Sequence, residues 1–388
     1  MNMPYKFNCR LGTISQALNW KMPSGEIVSY EPYIREMRVW ASLFRQVDIF
    51  APLSTDEIRV TVSEYGFSNL EFSFVSYSHS IKWWGAIVRF VQLPVVLIRL
   101  MSFIWNHEVL LIRSPSHFGL LAHIFVFLFR KKSITKYAGY FSFFEGERIP
   151  SIIERNFIEK MLGAPHYVLV YGQSKSEHLI SFIPAAISKS EIDDLKSLRV
   201  QKDSTSGPLV FYSLGKLIPA KDFDIAIEGL GLLFLEHPSF EWEYHLIGDG
   251  IELDTLVKLC KKYNISNRVF FEGKLSYDDS MRKLVTADVV IMPGRKEGWP
   301  KVVIEGWAVG AVPLVAEAGI SSSVIQDGIN GFLFKPEPIA LKKRLKDIFD
   351  SLHSLPEIRR LGWNEVEHFS LEEFSNGIAD VCRNKLKL

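Results

Sequence analysis

Cysteine is scarce in this sequence of 388 residues, which contains only Cys9, Cys260 and Cys382. The three lie far apart and none stands in a CxxC spacing. They therefore support neither a disulfide framework nor a zinc site. We expect a protein of the reducing cytoplasm.

Net charge is nearly absent as well, because 45 Lys and Arg residues are balanced by 44 Asp and Glu residues. A formal charge of +1 provides no extended positive field, so nucleic acid is not an expected partner. The start of the chain, MNMPYKFNCRLGTIS, lacks the charged beginning and the apolar stretch of a signal peptide. We expect no export.

A long uninterrupted apolar run is also missing. The most apolar region, residues 81–104, contains Arg89, Gln92, Pro94 and Arg99. Because a central arginine costs roughly 2.5 to 3.5 kcal/mol in a membrane-spanning helix, we do not expect this region to span a bilayer.

The polar residues of this region are spaced by seven, three and seven positions, at Lys82, Arg89, Gln92 and Arg99. On a helix they therefore form one stripe beside a wide apolar surface. Two interpretations stay open. The helix packs against its own sheet, or it rests on a membrane at the inner face, reinforced by the basic residues 130–132.

The length suffices for two α/β domains of nearly two hundred residues each. Five apolar runs of strand length lie in the first half: QVDIFAPL, LEFSFVSYS, EVLLIRSP, SITKYAGYF and YVLVYGQS. In the second half strands alternate regularly with helical patterns, which requires crossover connections and predicts a mainly parallel sheet. The predicted parts are a first domain 1–190, a polar linker 191–207, a second domain 208–365 and a C-terminal helical segment 366–388 that packs back towards the first domain.

The most informative stretch is PGRKEGWPKVVIEGWAVG, residues 293–310. A predicted strand ends here, and we expect a helix to start at about Lys301. The first N–H groups of that helix can bind a diphosphate. Glu297 precedes that helix and Glu305 lies about one turn inside it. Carboxylates accept hydrogen bonds from sugar hydroxyls, so both residues are candidates for binding hydroxyl groups of the ligand. The alternative interpretation is an ordinary helix start with one favourable acidic residue and one exposed Glu.

Two lysines, Lys216 and Lys221, follow another predicted strand, PLVFYSLG. In a parallel sheet these loops share one edge with the Glu297 loop, so both ammonium groups are candidates for neutralising a diphosphate. The alternative is two solvated surface lysines. Two more turns, GDG at 248–250 and EGK at 272–274, complete this edge.

Five segments in order carry a resemblance: LGKLIPAKDFD, YHLIGDG, NRVFFEGKL, ADVVIMPGRKEGWPKVVIEGWAVGAVPLVA and IQDGINGFLF. From residue 208 to about 336 the chain resembles the C-terminal half of glycosyltransferase family 4, the retaining transferases with two facing Rossmann-like domains, a cleft between them and a GT-B fold. The resemblance implies a nucleotide-sugar donor, no metal and no separate cofactor.

The resemblance also implies roles for individual residues. Lys216 and Lys221 bind the donor phosphates, and arginine is more usual at the first of these positions. Glu297 touches the transferred sugar and Glu305 binds the ribose. The remaining expected donor contacts are Gly248, the nucleobase segment Glu272, Gly273, Lys274 and Leu275, and the sugar-phosphate segment Gly298, Trp299 and Pro300.

The first half departs from the family pattern. Where members have a glycine pair in the first loop, this chain offers only Ser24 and Gly25, and we expect Gly25 to take that place near the donor. Members often carry histidines after the fourth strand, where this chain has Arg113, with His117 close by. Both are candidates for the acceptor side.

The expected reaction is retaining transfer of a hexose-type sugar to a glycan or a lipid-linked acceptor, in cell-surface polysaccharide biosynthesis. Two alternatives stay open: a nucleotide-sugar epimerase of the same architecture, which needs no second substrate, and a non-catalytic nucleotide-sugar-binding subunit.

Overall fold

The computed structural model of the chain describes residues 6–58, 61–75, 83–139, 141, 149–171, 176–182, 187–200, 207–295, 301–318 and 324–388, with residues 83–91 and 200 as main chain only. The chain divides into two compact units, Met1–Ile183 with Phe374–Leu388, and Pro184–Glu373. Each unit contains a parallel sheet with helices packed on it, which confirms the predicted α/β class.

Seven parallel strands form the main sheet of the first unit, in the order β10-β9-β8-β7-β1-β4-β6. A small antiparallel sheet, β2-β3-β5, follows the first strand. The strands are β1 Phe7–Ile14, β2 Asn19–Lys21, β3 Ile27–Tyr30, β4 Phe44–Pro52, β5 Val62–Glu64, β6 Leu70–Val75, β7 Val109–Ser114, β8 Lys132–Tyr137, β9 His166–Val170 and β10 Leu179–Ser181. The helices are α1 Glu31–Leu43, α2 Trp83–Trp105, α3 His117–Phe129 and α4 Ile149–Met161.

Six parallel strands form the sheet of the second unit, in the order β13-β12-β11-β14-β15-β16. They are β11 Leu209–Leu214, β12 Trp242–Ile247, β13 Val269–Gly273, β14 Val289–Met292, β15 Val312–Ala316 and β16 Phe332–Phe334. The helices are α5 Lys189–Val200, α6 Phe223–Glu236, α7 Leu253–Lys262, α8 Tyr277–Leu284, α9 Lys301–Ala308, α10 Pro338–Asp350, α11 Leu355–Val366 and α12 Leu371–Asp380, and the last of these continues into the first unit from Phe374.

Both faces of the second sheet are covered. Phe211 and Ile291 face a core shared with α6, α7 and α10, whereas Tyr212 and Val290 face a core shared with α5, α8 and α9. Burial on both faces explains why these strands read as continuous apolar runs, and why every strand predicted in this half is present.

Strand β1 was not among the predicted strands, although it lies between β7 and β4 in the centre of the first sheet. Its sequence FNCRLGTI mixes polar and apolar residues without a run or a clean alternation. Arg10 is accommodated because its Nη2 lies 2.6 Å from Oδ2 of Asp48 on the neighbouring β4. Arg10 itself is half exposed, and continuous burial in β1 begins only at Leu11, which leaves too short an apolar run for the pattern rule.

The structure differs from the predicted linker 191–207. Residues 191–200 belong to α5, which buries Ile192 and Leu195 in the core of the second unit. Arg199 is buried as well, and its Nη1 donates to carbonyl groups at the end of α8. Two buried apolar residues and one hydrogen-bonded arginine therefore hold α5 in the second unit, although its other faces are polar. Residues 201–206 lie outside the described part of the chain.

Helix α2 contains the apolar region of the sequence. Two residues of the predicted polar stripe lie outside the described residues: Lys82, which precedes the helix, and the side chain of Arg89. The same holds for the other side chains in the first half of the helix. In its second half Leu100 and Ile104 are buried in the core of the first unit, so this part packs against its own sheet. Within the described residues, no helix combines the length and the apolar character that crossing a membrane requires.

Helix α9 is held against α11 by the contact between Trp307 and Gly362. A Cβ at Gly362 would lie 2.4 Å from Cδ1 of Trp307, whose ring is 1% exposed. We expect Gly362→Ala to destabilise the protein by about 1 to 3 kcal/mol, because a buried indole has no room to move. Urea unfolding monitored by circular dichroism measures this.

The control is Asn364→Ala on the exposed side of the same helix. It should change the free energy of unfolding by no more than about 0.5 kcal/mol. Equal stability of the two variants would show that the α9–α11 contact is loosely packed.

Candidate functional site

The order of strands reverses once in the sheet of the second unit. From β11 the chain proceeds through β12 to β13 on one side, whereas β14, β15 and β16 lie on the other side. In open parallel sheets such a reversal leaves a crevice at the carboxyl ends of the two strands that flank it, and ligands bind there. The loops after β11 and β14 therefore form the candidate site.

The loop after β11 carries both predicted lysines. Gly215 follows the strand with φ +149°, and Lys216 is exposed. The chain then forms a 3-10 turn, Pro219–Lys221. The side chain of Lys221 runs back along Gly215, because its Cε lies 3.7 Å from the position that a Cβ of residue 215 would occupy. The half-buried Lys221 thus lies along the carboxyl end of the strand.

Main-chain contacts join this loop to its neighbours. The N–H of Gly248 donates to the carbonyl of Gly273 at 2.8 Å, and the N–H of Gly215 donates to the carbonyl of Ile247 at 3.0 Å. A Cβ at Gly248 would lie 1.8 Å from the carbonyl oxygen of Gly215. Only glycine permits this approach, so the predicted residue Gly248 shapes the site through its main chain.

On the other side, Asp222 joins the lysine loop to the loop after β14. Its carboxylate accepts hydrogen bonds from the main-chain N–H of Arg295 at 2.8 Å and from Nη2 of Arg295 at 2.7 Å. Asp222 is 6% exposed and has φ +50°, a conformation that Asp and Asn tolerate better than most residues. Hydrogen bonding and attraction to Asp222 raise the pKa of the Arg295 guanidinium. The two loops at the crevice are therefore held together.

Helix α9 begins at Lys301, as predicted. Val303, Ile304 and Trp307 are buried in the core, whereas Glu305 is partly exposed one turn from the start. This fixes the first turn of the helix at the carboxyl end of β14. The predicted donor contacts Glu297, Gly298, Trp299 and Pro300 lie outside the described residues.

The carboxylate of Glu272 already has partners. It contacts Nζ of Lys283, and Nδ1 of His245 lies 2.8 Å from its Oε1. Burial alone would raise its pKa, but Lys283 and His245 hold the pKa of Glu272 below the usual value. For the predicted nucleobase segment, we therefore expect contacts from the main chain of Gly273 and from the following residues, exposed Lys274 and half-buried Leu275.

In the first unit, the strand order reverses between β1 and β7. Arg113 lies near the end of β7, where its Nη1 is 2.7 Å from Oε1 of Glu36. His117 begins α3, and its ring nitrogen Nδ1 is 3.3 Å from Nε2 of Gln16, the second residue after β1. Both predicted acceptor-side residues therefore lie at this crevice. Gly25 occupies the exposed turn between β2 and β3, and its contact with the donor stays a prediction.

Four charged residues at the two crevices were not indicated by the sequence. Asp222 directly follows the predicted Lys221, and Arg295 lies two positions before the predicted Glu297. Their closeness in sequence to predicted residues was the signal that could have indicated them. Glu36 and Lys136 lie inside a helix and a strand, with no motif around them.

Residues 195–359 match the family described as glycosyl transferases group 1. The matched residues lie within the second unit, where the chain is similar to that family. The glycosyl transferase match contains every donor contact predicted in this unit, from Lys216 to Glu305. It therefore confirms the family resemblance at the group 1 level.

Two curated relatives align with part of the chain. The lipopolysaccharide core biosynthesis glycosyltransferase LpsE of Rhizobium meliloti is 31% identical over 136 residues, which are 35% of this chain and 37% of that protein. A D-inositol 3-phosphate glycosyltransferase of Nocardia farcinica is 25% identical over 231 residues, which are 56% of this chain and 49% of that protein. The chain thus spans less than half of either relative.

The fold itself is shared over nearly the whole chain with a solved structure. HepE of Anabaena, solved in complex with UDP and glucose, has a TM-score of 0.70 at 16% identity, covering 97% of this chain and 100% of that one. This likeness confirms the predicted fold of two Rossmann-like sheets.

We expect Asp222→Ala to weaken binding of nucleoside diphosphates by about tenfold, a change of about 1.4 kcal/mol, because the two crevice loops lose their connection. Asp222→Asn keeps the tolerance for a positive φ and one acceptor oxygen. Its affinity for nucleoside diphosphates should therefore fall less. Calorimetric titration with UDP, GDP and ADP measures both.

Asp254→Ala, at an exposed position of α7, is the matched control and should bind like the unmodified protein. If Asp222→Ala binds equally well, the Asp222–Arg295 contact does not organise the site.

Proposed function

We propose that this protein is a retaining, metal-independent glycosyltransferase of family 4 that transfers a hexose-type sugar from a nucleotide-sugar donor. The acceptor is a glycan or a lipid-linked saccharide of cell-surface polysaccharide biosynthesis. One observation carries the proposal: within the group 1 match, the Lys216–Lys221 loop lies at the strand-order reversal. The UDP and glucose in the HepE structure support a nucleotide-sugar donor by analogy.

The lysines act on the leaving group. As the bond between sugar and phosphate loosens, negative charge accumulates on the departing diphosphate. Lys216, Lys221 and the first N–H groups of α9 stabilise that charge, which is the task a metal performs in other transferases. Because the loops are tied together before the donor binds, these charges need little rearrangement.

The carboxylates act on hydroxyl groups. We assign Glu305 to the ribose and Glu297 to the transferred sugar, following the family resemblance. The acceptor hydroxyl attacks from the side of the departing diphosphate, whose oxygen takes the proton, and the configuration at the sugar carbon is retained.

A panel of nucleotide sugars in a thermal-shift assay tests the proposal. A donor at a hundred times its dissociation constant adds about 2.7 kcal/mol to the free energy of unfolding. The stabilising donor is then incubated with acceptor extracts, and both released nucleoside diphosphate and the anomeric configuration of the product are measured. Conversion of the donor alone to an epimer would identify an epimerase, whereas binding without any release would identify a binding subunit.

We expect Lys221→Ala to lower turnover by about a hundredfold or more, because a preorganised charge at the leaving group is lost. The rate of nucleoside diphosphate release at saturating donor measures this. Lys258→Ala removes an exposed lysine from α7 of the same unit and should leave turnover unchanged. Similar rates for the two variants would refute the role of Lys221.

An apolar surface of the first unit supports action at the inner face of a membrane. On α2, Ile98 and Trp105 are 63% and 64% exposed, and on α3 Leu128 is 62% exposed. The helices meet there, since the rings of Trp105 and Phe129 are 5.3 Å apart. Monomeric proteins rarely expose such adjoining side chains without a partner.

Basic residues border this surface and favour anionic lipid as the partner. Arg130 is exposed, and Nζ of Lys131 donates to the carbonyl of Trp105 at 2.6 Å. Each basic residue near an anionic surface contributes about 1 kcal/mol of attraction. We propose that the helices lie on the lipid headgroups by this apolar and basic surface.

We expect the protein to float with vesicles that contain phosphatidylglycerol and to stay unbound with pure phosphatidylcholine. The double variant Ile98→Glu and Leu128→Glu should stay unbound, because two carboxylates are then placed on the lipid-facing side. Ile339→Glu replaces an equally exposed isoleucine of the second unit and should float normally. Failure of the unmodified protein to float would remove the membrane contact.

A further inference from the structure

Strand β13 contains one residue more than its pairing with β12 requires. Leu246 of β12 pairs with Phe271, whereas the next residue, Ile247, pairs with Gly273. Glu272 is therefore the extra residue of a β-bulge at the carboxyl end of β13. Bulges are rare between parallel strands, and many lie beside functional sites, where they change the direction of the chain.

The carboxylate of the bulged residue is held from two sides. Nδ1 of His245 on β12 lies 2.8 Å from Oε1 of Glu272, and Nζ of Lys283 on α8 contacts Oε2. Burial raises the pKa of Glu272, but the two partners outweigh this and keep the pKa below its usual value. The carboxylate is therefore ionised and accepts hydrogen bonds from both side chains.

The ring of His245 is fixed in turn by the sheet. It stacks between Tyr212 of β11 and Phe270 of β13, with ring centroids 4.7 and 4.8 Å away. Its other nitrogen, Nε2, lies 3.4 Å from Oε2 of Glu243. The stacking sets the position of Nδ1, and Nδ1 sets the position of the bulged carboxylate.

The bulge determines how the chain leaves the sheet. Gly273 has φ +70°, a left-handed conformation that glycine adopts readily, and its carbonyl accepts the N–H of Gly248 at 2.8 Å. Lys274 and Leu275, the rest of the predicted nucleobase segment, follow directly. A segment that starts from a fixed residue needs less ordering when a ligand binds.

The alternative is that these polar contacts only hold the edge strand β13 to α8. However, α8 already buries Met281 and Leu284 in the core of the second unit. Apolar packing therefore docks the helix on the sheet. The contacts of Lys283 and His245 with Glu272 are then available for another task.

We propose that His245 and Lys283 are positioning residues for donor binding, which act through the carboxylate of Glu272 on the nucleobase segment, residues 273–275. The inference rests on the nucleotide-sugar donor of the proposed function. In this arrangement Glu272 does not touch the nucleobase. It fixes the main chain that does.

The part of the crevice assigned to the diphosphate is held by other contacts. The N–H of Gly215 donates to the carbonyl of Ile247, and the carboxylate of Asp222 accepts from the main-chain N–H of Arg295. Neither contact involves the side chains at the bulge. A loss at the bulge should therefore weaken binding of the nucleobase and spare binding of the phosphates.

Calorimetric titration with UDP, GDP, ADP and inorganic pyrophosphate at constant ionic strength tests the proposal. Lys283→Met should weaken binding of the preferred nucleoside diphosphate about tenfold, because the segment must then be ordered on binding. The affinity for pyrophosphate should stay unchanged. Arg282→Met, at the exposed position before Lys283, is the matched control and should bind both probes like the unmodified protein.

Two further variants separate positioning from direct contact. His245→Phe keeps a stacked ring and loses the hydrogen bond to Glu272, so it should lower nucleoside diphosphate affinity as Lys283→Met does. Glu272→Leu combined with Lys283→Met should bind no more weakly than Glu272→Leu alone, because the side chains act as one unit. Additive losses in the double variant would assign Glu272 a contact of its own and overturn the positioning role.

Equal losses of pyrophosphate and nucleoside diphosphate affinity would indicate general damage to the crevice, and unchanged affinities in both Lys283→Met and His245→Phe would show that the bulge is held without them. Either result overturns this inference alone. An unmodified protein that binds none of the three nucleoside diphosphates overturns the proposed donor as well. The expected losses of affinity in a protein that transfers no sugar would refute the proposed function and leave the positioning role standing.

Discussion

The main sheet of each unit is parallel and reverses its strand order once, between β11 and β14 in the second unit and between β1 and β7 in the first. Parallel strands end at a common edge, and the chain leaves the two flanking strands in opposite directions. The lysine loop lies at the crevice of the second unit, and Arg113 lies at the crevice of the first.

The crevice of the second unit is held by contacts that leave little freedom. Gly248 approaches the carbonyl of Gly215 so closely that no side chain fits, and Asp222 holds the main chain and the guanidinium of Arg295. These contacts connect loops after three strands, β11, β12 and β14. In the proposed function, charges mounted on such a frame act on a diphosphate without first being ordered, which is the main advantage of a protein site over water.

The two crevices differ in how their charges are balanced. The lysine loop is open to solvent at Lys216. At the crevice of the first unit, the guanidinium of Arg113 is instead paired with the carboxylate of Glu36.

The sequence by itself determined the α/β class, every strand of the second sheet, the start of α9 and the group 1 family, because periodic burial and turn residues leave local traces. It did not reveal β1, whose continuously buried part is only Leu11–Ile14, or the packing of α5, where Arg199 is accommodated by partners far along the chain. Only the tertiary structure decided that Asp222 meets Arg295, and that Glu36 meets Arg113 and Lys136. Ion pairs of this kind join residues about seventy to a hundred positions apart, and no local pattern specifies which charge lies across a sheet edge.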